Sequence, residues 1–313
     1  MKEEAIYRDT VFLFNGVGIN FRKYPHYLLE NSFGHLSQYN VILKERFNFD
    51  ILGYIFSMKS HGWDSSLLNW ITIFTLDNIA YKMTYEMINK PYAYMGYSMG
   101  LITAMVCSGS LSYESGIELL IKIFEYPINA GRKDETMATI IGFSLDDIKQ
   151  LIKNGNYTQP VEIASENNAY CFTLSGRVPD IEKLICSAID NGALYAKILD
   201  VPYAFHSSYA KKGIDSLTSF VESIKMAAPK IAILSCYSLK FLREPDELRE
   251  ELIKNMYTPM KWDSAIQVLI KEGAYSFIEI SFGDYLTRFS RMINQQYHFF
   301  THKEISCFKE RVF

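Results

Sequence analysis

The sequence has little net charge, no long apolar run and few cysteines, and each absence excludes a class of protein. Its 32 Lys and Arg residues against 35 Asp and Glu residues give a net charge of −3, so the composition does not favour nucleic-acid binding. No apolar run reaches the roughly 18 residues of a transmembrane helix, and the first ten residues, MKEEAIYRDT, lack the apolar core of a signal peptide. We therefore expect a cytoplasmic protein with no membrane span.

Cysteine is scarce and scattered. The five cysteines are odd in number and form no C-x-x-C, which favours neither a disulfide framework nor a zinc site. We expect free, buried thiols and no metal. The 313 residues are 49% hydrophobic and 21% charged, an ordinary globular balance with enough chain for one large domain or two smaller ones.

Two patterns of secondary structure share the chain. Residues 10–18, TVFLFNGVG, are typical of a buried strand that enters a glycine-rich turn, and residues 91–97 of a short strand before a helix. Residues 136–201 predict strand, helix, strand, helix, strand, a small two-layer unit inside the larger chain. A helix over residues 207–226 follows, and IAILSCYS and AYSFIEIS predict further core strands.

The segment Gly96–Gly100 reads G-x-S-x-G and lies where the predicted strand meets the helix. A serine on such a turn is typical of an enzyme nucleophile, because flanking glycines relieve backbone crowding and the helix N-terminus offers unpaired N–H groups. The N–H of Met99 would then stabilise an oxyanion. The motif alone is weak, since a serine that a turn merely requires gives the same pattern.

A serine nucleophile also needs a base and a second oxyanion donor. Among the six histidines, His206 lies between a predicted strand and a predicted helix, in VPYAFHSSYA. It is equally typical of a helix cap or a partly buried polar residue. The turn Gly16–Gly18 would direct the N–H of Val17 into the site. The alternatives there are a phosphate-binding loop and a plain turn. A dinucleotide loop is disfavoured because the third glycine of G-x-G-x-x-G is absent.

Seven segments together resemble motifs of the malonyl-CoA:acyl-carrier-protein transacylase family, which includes acyltransferases of polyketide synthases. They are FLFNGVGIN, GYSMG, TMATIIGF, ENNAYCFTLSG, VPYAFHSSYA, NMYTPMKW and FIEISFGDYLTRFSRMI, in family order over essentially the whole chain. The resemblance implies an α/β fold. A large α/β-hydrolase-like subdomain would comprise residues 1–132 and 200–313, and a small ferredoxin-like subdomain residues 133–199.

The resemblance also implies a ping-pong reaction. Ser98, deprotonated by His206, would attack an acyl thioester, with the backbone N–H groups of Val17 and Met99 holding the oxyanion. No Asp completes a triad in this family, and a backbone carbonyl at the position of Asn255 would orient the histidine. No bound cofactor is implied. The substrate would be the phosphopantetheine thioester of an acyl carrier protein, the expected partner, or of CoA.

Departures from the family concern the acyl group. Members that use malonyl groups hold the carboxylate with an Arg, whose position falls here on Ile123, or on Lys122 if the register slips by one. No Arg occurs between Arg46 and Arg132, and a buried carboxylate without a partner costs several kcal/mol. We therefore expect malonyl to be a poor substrate.

Other family positions predict the remaining substrate contacts. Trp70 replaces a polar Gln, and Tyr97 replaces the His of the family's GHSxG. The predicted substrate-binding residues are Trp70, Tyr97, Ile123, Asn167 and Phe205. They describe a site more apolar than one built for malonyl.

Three functions remain open for the protein. If water receives the acyl group, the enzyme is an acyl hydrolase that releases non-malonyl groups, as in family members that lack the Arg and accompany polyketide synthases; we favour this fate. If a carrier thiol receives it, the enzyme is an acyltransferase, for malonyl as well if Lys122 replaces the Arg. An inactive docking scaffold is the third. The basic candidates for carrier contact are Arg132, Lys133, Arg288 and Arg291.

Overall fold

The structure, a computed structural model, describes residues 9–18, 21, 25–57, 64–88 and 90–312. Its strands are β1 (Thr10–Phe14), β2 (Ala93–Gly96), β3 (Glu135–Ile141), β4 (Glu162–Asn168), β5 (Cys171–Arg177), β6 (Tyr195–Ile198), β7 (Ile233–Leu234), β8 (Phe241–Leu242), β9 (Ser276–Ile280) and β10 (His298–Thr301). Its helices are α1 (Pro25–Phe47), α2 (Ile51–Ser57), α3 (Ser65–Met87), α4 (Gly100–Cys107), α5 (Tyr113–Asn129), α6 (Leu145–Asn154), α7 (Val178–Asp190), α8 (Ile214–Ser223), α9 (Pro245–Tyr257), α10 (Trp262–Lys271), α11 (Tyr285–Ser290) and α12 (His302–Val312).

The larger sheet has six strands in the order β10-β9-β1-β2-β7-β8, parallel except between β7 and β8. Every residue of β1 is buried, as a central parallel strand covered on both faces requires. Side chains alternate along it: Phe12 and Phe14 enter one hydrophobic cluster, while Val11 and Leu13 enter the other. The sheet therefore separates two cores and fixes where the loops after β1 and β2 meet.

The smaller sheet is antiparallel, in the order β4-β5-β3-β6, and belongs to a β-α-β-β-α-β segment with α6 and α7. Helix α6 is capped by Ser144, whose side chain forms a capping box with Asp147. The predicted α/β fold with a small ferredoxin-like unit is confirmed. The boundaries of the small subdomain, residues 133–199, stay a prediction. The four strands of the antiparallel sheet lie within them.

Two predicted elements differ from the structure. Strand β4 was missed because its sequence, EIASENN, is polar, and its buried Ser165 and Asn167 are satisfied by hydrogen bonds rather than by apolar packing. The single helix predicted over residues 207–226 is wrong. A 3₁₀ turn at Ser208–Lys211 and then Gly213, with φ +83°, precede α8, because glycine adopts the left-handed region without strain.

The thiols are less buried than expected. All five cysteines are free, but Cys186 and Cys307 are exposed. Within the described ranges, no helix combines the length and hydropathy of a membrane span.

Candidate active site

Ser98 occupies a strained turn between β2 and α4. Its φ of +55° lies in the left-handed region, which costs a non-glycine residue about 1–3 kcal/mol. The turn is held by the Tyr97 N–H, which donates to the Phe14 carbonyl at 2.9 Å, and by the Gly100 N–H, which donates to the Tyr97 carbonyl at 2.9 Å. The strain therefore presents the serine side chain at the end of the parallel sheet.

The two glycines of the motif are required by close backbone approach. A Cβ on Gly96 would lie 2.3 Å from the Leu101 nitrogen, and one on Gly100 would lie 2.1 Å from the Phe14 carbonyl oxygen. Neither contact involves a side chain that can move away. The G-x-S-x-G spacing thus follows from the packing of β1, β2 and α4.

His206 lies directly against the serine. Its Nε2 is 2.8 Å from Ser98 Oγ, and its own φ is +56°. Its backbone N–H donates to the Met256 carbonyl at 2.6 Å. Burial lowers the pKa of His206 to about 4, with only 1% of the residue exposed, because a charged imidazole loses its hydration. The neutral ring at pH 7 is the form that accepts a proton.

Asn255 is bound to the same turn. Its side-chain Nδ2 donates to the Ser98 backbone carbonyl at 3.3 Å. Its backbone carbonyl raises the pKa of His206 against the larger effect of burial. In the described part of the chain, His206 Nδ1 makes no hydrogen bond of ordinary distance and angle. The contact between the Asn255 carbonyl and the His206 ring is therefore looser than an ordinary hydrogen bond. Helix α9 thus brings one residue beside both the nucleophile and the base.

The Gly16–Val17 turn packs on the other side of Ser98. A Cβ on Gly16 would lie 3.4 Å from the Ser98 Cβ, which shows how closely the loops approach. Asn15 anchors the turn: its Oδ1 accepts the Gly16 N–H at 2.7 Å, and its Nδ2 donates to the buried Glu279 at 3.0 Å.

The two predicted oxyanion donors lie on this side of the site. Val17 and Met99 both line the cavity in front of Ser98. In the part of the chain that the structure describes, neither backbone N–H has a hydrogen-bond partner. Two unpaired N–H groups beside a serine are the arrangement that stabilises an oxyanion.

A cavity of about 290 Å³ lies in front of Ser98. Residues of the smaller sheet, of the loops after β1 and β2, and of α3, α4, α5, α9 and α11 line it. The predicted site residues that it brings together are Val17, Trp70, Tyr97, Ser98, Met99, Ile123, Phe205, His206 and Asn255.

One wall of the cavity is apolar. Trp70, 4% exposed, packs edge-on against Phe124 with ring centroids 5.3 Å apart, and its ring lies 6.0 Å from that of Phe205. Ile123 faces the cavity, whereas Lys122 does not line it. The Lys122 Nζ lies 3.2 Å from Glu125 Oε2, on a side chain 47% exposed. Of the two positions considered for the family's Arg, Ile123 is the one that lies on the cavity. Lys122 points to solvent and is therefore not placed to bind a carboxylate there.

Asn167 is placed differently from its prediction. It is fully buried and does not line the cavity. Its Oδ1 accepts the Tyr97 hydroxyl at 2.9 Å and the Ser165 hydroxyl at 2.7 Å, and its Nδ2 donates to Thr173 at 3.2 Å. A direct substrate contact by Asn167 therefore stays a prediction, which this placement does not favour. Asn167 instead joins the residue next to the nucleophile to the smaller sheet.

The basic candidates for carrier contact also need correction. Arg132 is 5% exposed, and its guanidinium binds Glu135 at 2.6 Å and the Tyr126 hydroxyl at 3.2 Å, so it is unavailable to a partner. Arg288 pairs with Asp284 on the surface. Sequence reasoning missed Lys197 of β6, which lines the cavity. The alternation in YAKI was a signal that would have placed it on the face opposite the small core.

Comparisons with known proteins show which proteins the chain is similar to. No protein-family model matches the chain. The malonyl CoA-acyl carrier protein transacylase of Bacillus subtilis is 28% identical over 206 residues, which are 64% of this chain and 64% of the relative. The polyketide biosynthesis protein PksE of the same organism is 27% identical over 224 residues, 69% of this chain and 28% of that protein. The chain thus matches just under two thirds of the length of the curated transacylase.

Solved structures share the whole fold. The malonyl CoA-acyl carrier protein transacylase of Coxiella burnetii superposes with a TM-score of 0.85 at 20% identity, covering 98% of each chain. A malonyl-transacylase solved in complex with a type II polyketide acyl-carrier protein, the pair PlMCAT:AntF, gives a TM-score of 0.83 at 18% identity over 94% of each chain. At these identities the likeness shows the fold.

Proposed function

We infer that the chain is a member of the malonyl CoA-acyl carrier protein transacylase family and propose that it transfers acyl groups from carrier-protein or CoA thioesters through an acyl-Ser98 intermediate. The observation that carries this proposal is the 2.8 Å contact between Ser98 Oγ and His206 Nε2 on a strained turn that opens into the cavity. The sequence and fold similarities support it.

The proposed chemistry uses groups that are already in position. Ser98 gives its proton to His206 Nε2 as Oγ attacks the thioester carbonyl carbon. The carbonyl oxygen becomes an oxyanion and takes hydrogen bonds from the Val17 and Met99 N–H groups. Collapse of the intermediate breaks the C–S bond, and the leaving thiolate takes the proton from His206. Acyl-Ser98 and a free thiol remain, and the second half-reaction reverses these steps with another nucleophile.

The proposed acyl group is neutral rather than malonyl. Trp70, Ile123 and Phe205 supply apolar contacts, and no Arg lines the cavity in the part of the chain that the structure describes. A desolvated carboxylate would lose its water there without gaining a guanidinium.

We propose hydrolysis as the fate of acyl-Ser98. The side chain is only half-buried in an open cavity, which supports attack by water activated by His206. Transfer to a carrier-protein thiol is the second candidate, favoured by the similarity to transacylases. In both cases an acyl carrier protein is the proposed partner.

The test is incubation with a panel of acyl-phosphopantetheinyl carrier proteins, followed by intact-protein mass measurement of Ser98 adducts. Free acid that accumulates with turnover supports the hydrolase, and acyl groups that appear on an added second carrier support the transferase. A protein with neither an adduct nor labelling by a fluorophosphonate is an inactive scaffold, which would contradict the proposal.

A further inference from the structure

The part of the cavity wall formed by β6 contains a lysine that has no role in the proposed reaction. Lys197 lines the same cavity as Ser98 and is solvent-exposed. Among the described residues that line the cavity, two have a Lys, Arg, Asp or Glu side chain. They are Lys197 and Asp200. Among the described residues, Lys197 is therefore the Lys or Arg side chain that lines the cavity.

The direction of the Lys197 side chain follows from strand alternation. Ala196 and Ile198 pack against the hydrophobic cluster of the smaller sheet. Tyr195 and Lys197 therefore lie on the opposite face, towards the larger subdomain. Strand β6 is also an edge strand, paired only with β3 in its sheet. Its position on the edge leaves Lys197 with no neighbouring strand on its outer side, and the residue is exposed to solvent.

Lys197 has no ion pair within the described residues. The acidic residue nearest along the lining, Asp200, lies beyond the end of β6 and is exposed, and no salt bridge joins the two. An exposed, unpaired ammonium beside an apolar cavity is positioned for an anion that stays at the solvent side while an attached neutral group enters.

A pantetheine thioester has this distribution of charge. Its neutral arm separates the thioester, which must reach Ser98, from a phosphate at the other end of the arm. CoA and a holo carrier protein share that phosphate. We propose that Lys197 binds the phosphate of the pantetheine arm at the cavity mouth; this inference rests on the proposed function of Ser98. Lys197 then discriminates phosphorylated thioesters from simple ones without touching the acyl group.

The experiment measures binding separately from chemistry. The affinities of 4′-phosphopantetheine and pantetheine, which differ only in the phosphate, are measured with the Ser98→Ala protein through the change in intrinsic tryptophan fluorescence, to which Trp70 on the cavity wall contributes. We expect the phosphorylated ligand to bind about 3- to 10-fold more tightly at low salt, and the difference to shrink as salt is added. Lys197→Gln should remove the difference and Lys197→Arg should keep it.

Two matched variants control for general charge. Lys122→Gln removes an exposed lysine outside the cavity and should leave the preference unchanged. Asp200→Asn should preserve or enlarge it. Two results would overturn the assignment to Lys197. One is equal affinity for the two ligands in the Ser98→Ala protein with Lys197 present, and the other is a preference that survives Lys197→Gln. A preference that only Asp200→Asn removes would also overturn it.

Acylation rates then relate the site to the reaction and distinguish the two sources of phosphate. Lys197→Gln should slow Ser98 acylation from both acyl-CoA and acyl-holo carrier protein, and leave acyl-pantetheine unaffected. A loss confined to acyl-CoA would mean that Lys197 contacts the nucleotide, which contradicts the proposal. If no thioester acylates Ser98 while the binding preference is present, the proposed function fails and the Lys197 site stands.

Discussion

The described part of the chain contains two hydroxyl–imidazole pairs, one on the cavity and one inside the helical core. Ser98 Oγ lies 2.8 Å from His206 Nε2, and Thr84 Oγ1 lies 2.7 Å from His302 Nδ1. Burial lowers the pKa of both imidazoles to about 4. Distance and pKa therefore do not separate a nucleophile–base pair from a structural one.

A competing acceptor separates the two pairs. The Thr84 hydroxyl also reaches the Ala80 carbonyl, to which it donates at 2.8 Å, so that carbonyl competes with His302 for the proton. The Ser98 hydroxyl has His206 as its hydrogen-bond partner in the described chain. A base must receive the hydroxyl proton, and of the two pairs Ser98–His206 is the one without a competing acceptor in the described chain.

Backbone and access differ as well. Thr84 is fully buried within α3, whereas Ser98 lies on a left-handed turn that opens into the cavity. Unpaired N–H groups adjoin Ser98, while a helix interior uses its N–H groups in its own hydrogen bonds. A reactive serine here depends on the turn more than on the histidine.

The largest effect expected from this contrast is at the hydroxyls. Ser98→Ala should abolish the acyl adduct and fluorophosphonate labelling and leave the circular-dichroism spectrum unchanged. Thr84→Val removes the other hydroxyl at similar volume and should leave labelling at Ser98 intact, with lower thermal stability. An adduct that persists in Ser98→Ala would show that another residue is acylated.

The next largest effect is at the imidazoles. His206→Ala should slow acylation by roughly 10²–10⁴-fold, the usual loss for a positioned base, in a stopped-flow measurement of thiol release. His302→Gln should lower the melting temperature and leave the acylation rate within a small factor of wild type. Comparable rate losses in the two variants would mean that the His206 effect is structural.

The pH dependence provides a third contrast. Because acylation needs neutral His206, whose pKa is about 4, the rate should be flat from pH 8 to pH 5. It should then fall about tenfold per pH unit below the pKa. Stopped-flow pH jumps from pH 7 measure the rate before unfolding. A midpoint near the ordinary value of about 6.5 would show that His206 is solvated when it acts.

Stability should fall over a higher pH window than the rate does. Both folded-state histidine pKa values lie below the unfolded value of about 6.5, so the unfolded chain binds protons first as the pH falls. The stabilisation is present above about pH 6.5 and is lost progressively down to pH 4, by about 3 kcal/mol for each histidine. The jumps are therefore kept shorter than the unfolding time.

The smallest effect concerns the acyl group. Ile123→Arg places a guanidinium on the cavity wall and should raise malonyl acylation relative to acetyl acylation. The gain should stay below the roughly 30- to 1000-fold of a well-placed charge-assisted contact, because nothing orients the new side chain. Lys122→Arg is the matched control on the solvent side and should change nothing. An equal gain in both variants would indicate a general charge effect.

The sequence was sufficient for the fold and for the residues on sharp turns. Buried apolar strands and a glycine-flanked serine each leave a local pattern. The sequence was insufficient to predict which polar residues are buried against a polar partner. Arg132 reads as a surface cation and is instead bound by Glu135, and Asn167 reads as a substrate contact and is instead bound to Tyr97. Such partners lie on other elements, which periodicity does not reveal.

The most direct measurement is a competition on the wild-type protein between malonyl and acetyl groups carried by the same acyl carrier protein. The Ser98 adducts are quantified by intact mass at early times. A lost charge-assisted contact of roughly 2–4 kcal/mol predicts that acetyl-Ser98 exceeds malonyl-Ser98 by roughly 30- to 1000-fold. Equal amounts of the two adducts would contradict the proposal that an apolar cavity with Ile123 on its wall selects neutral acyl groups.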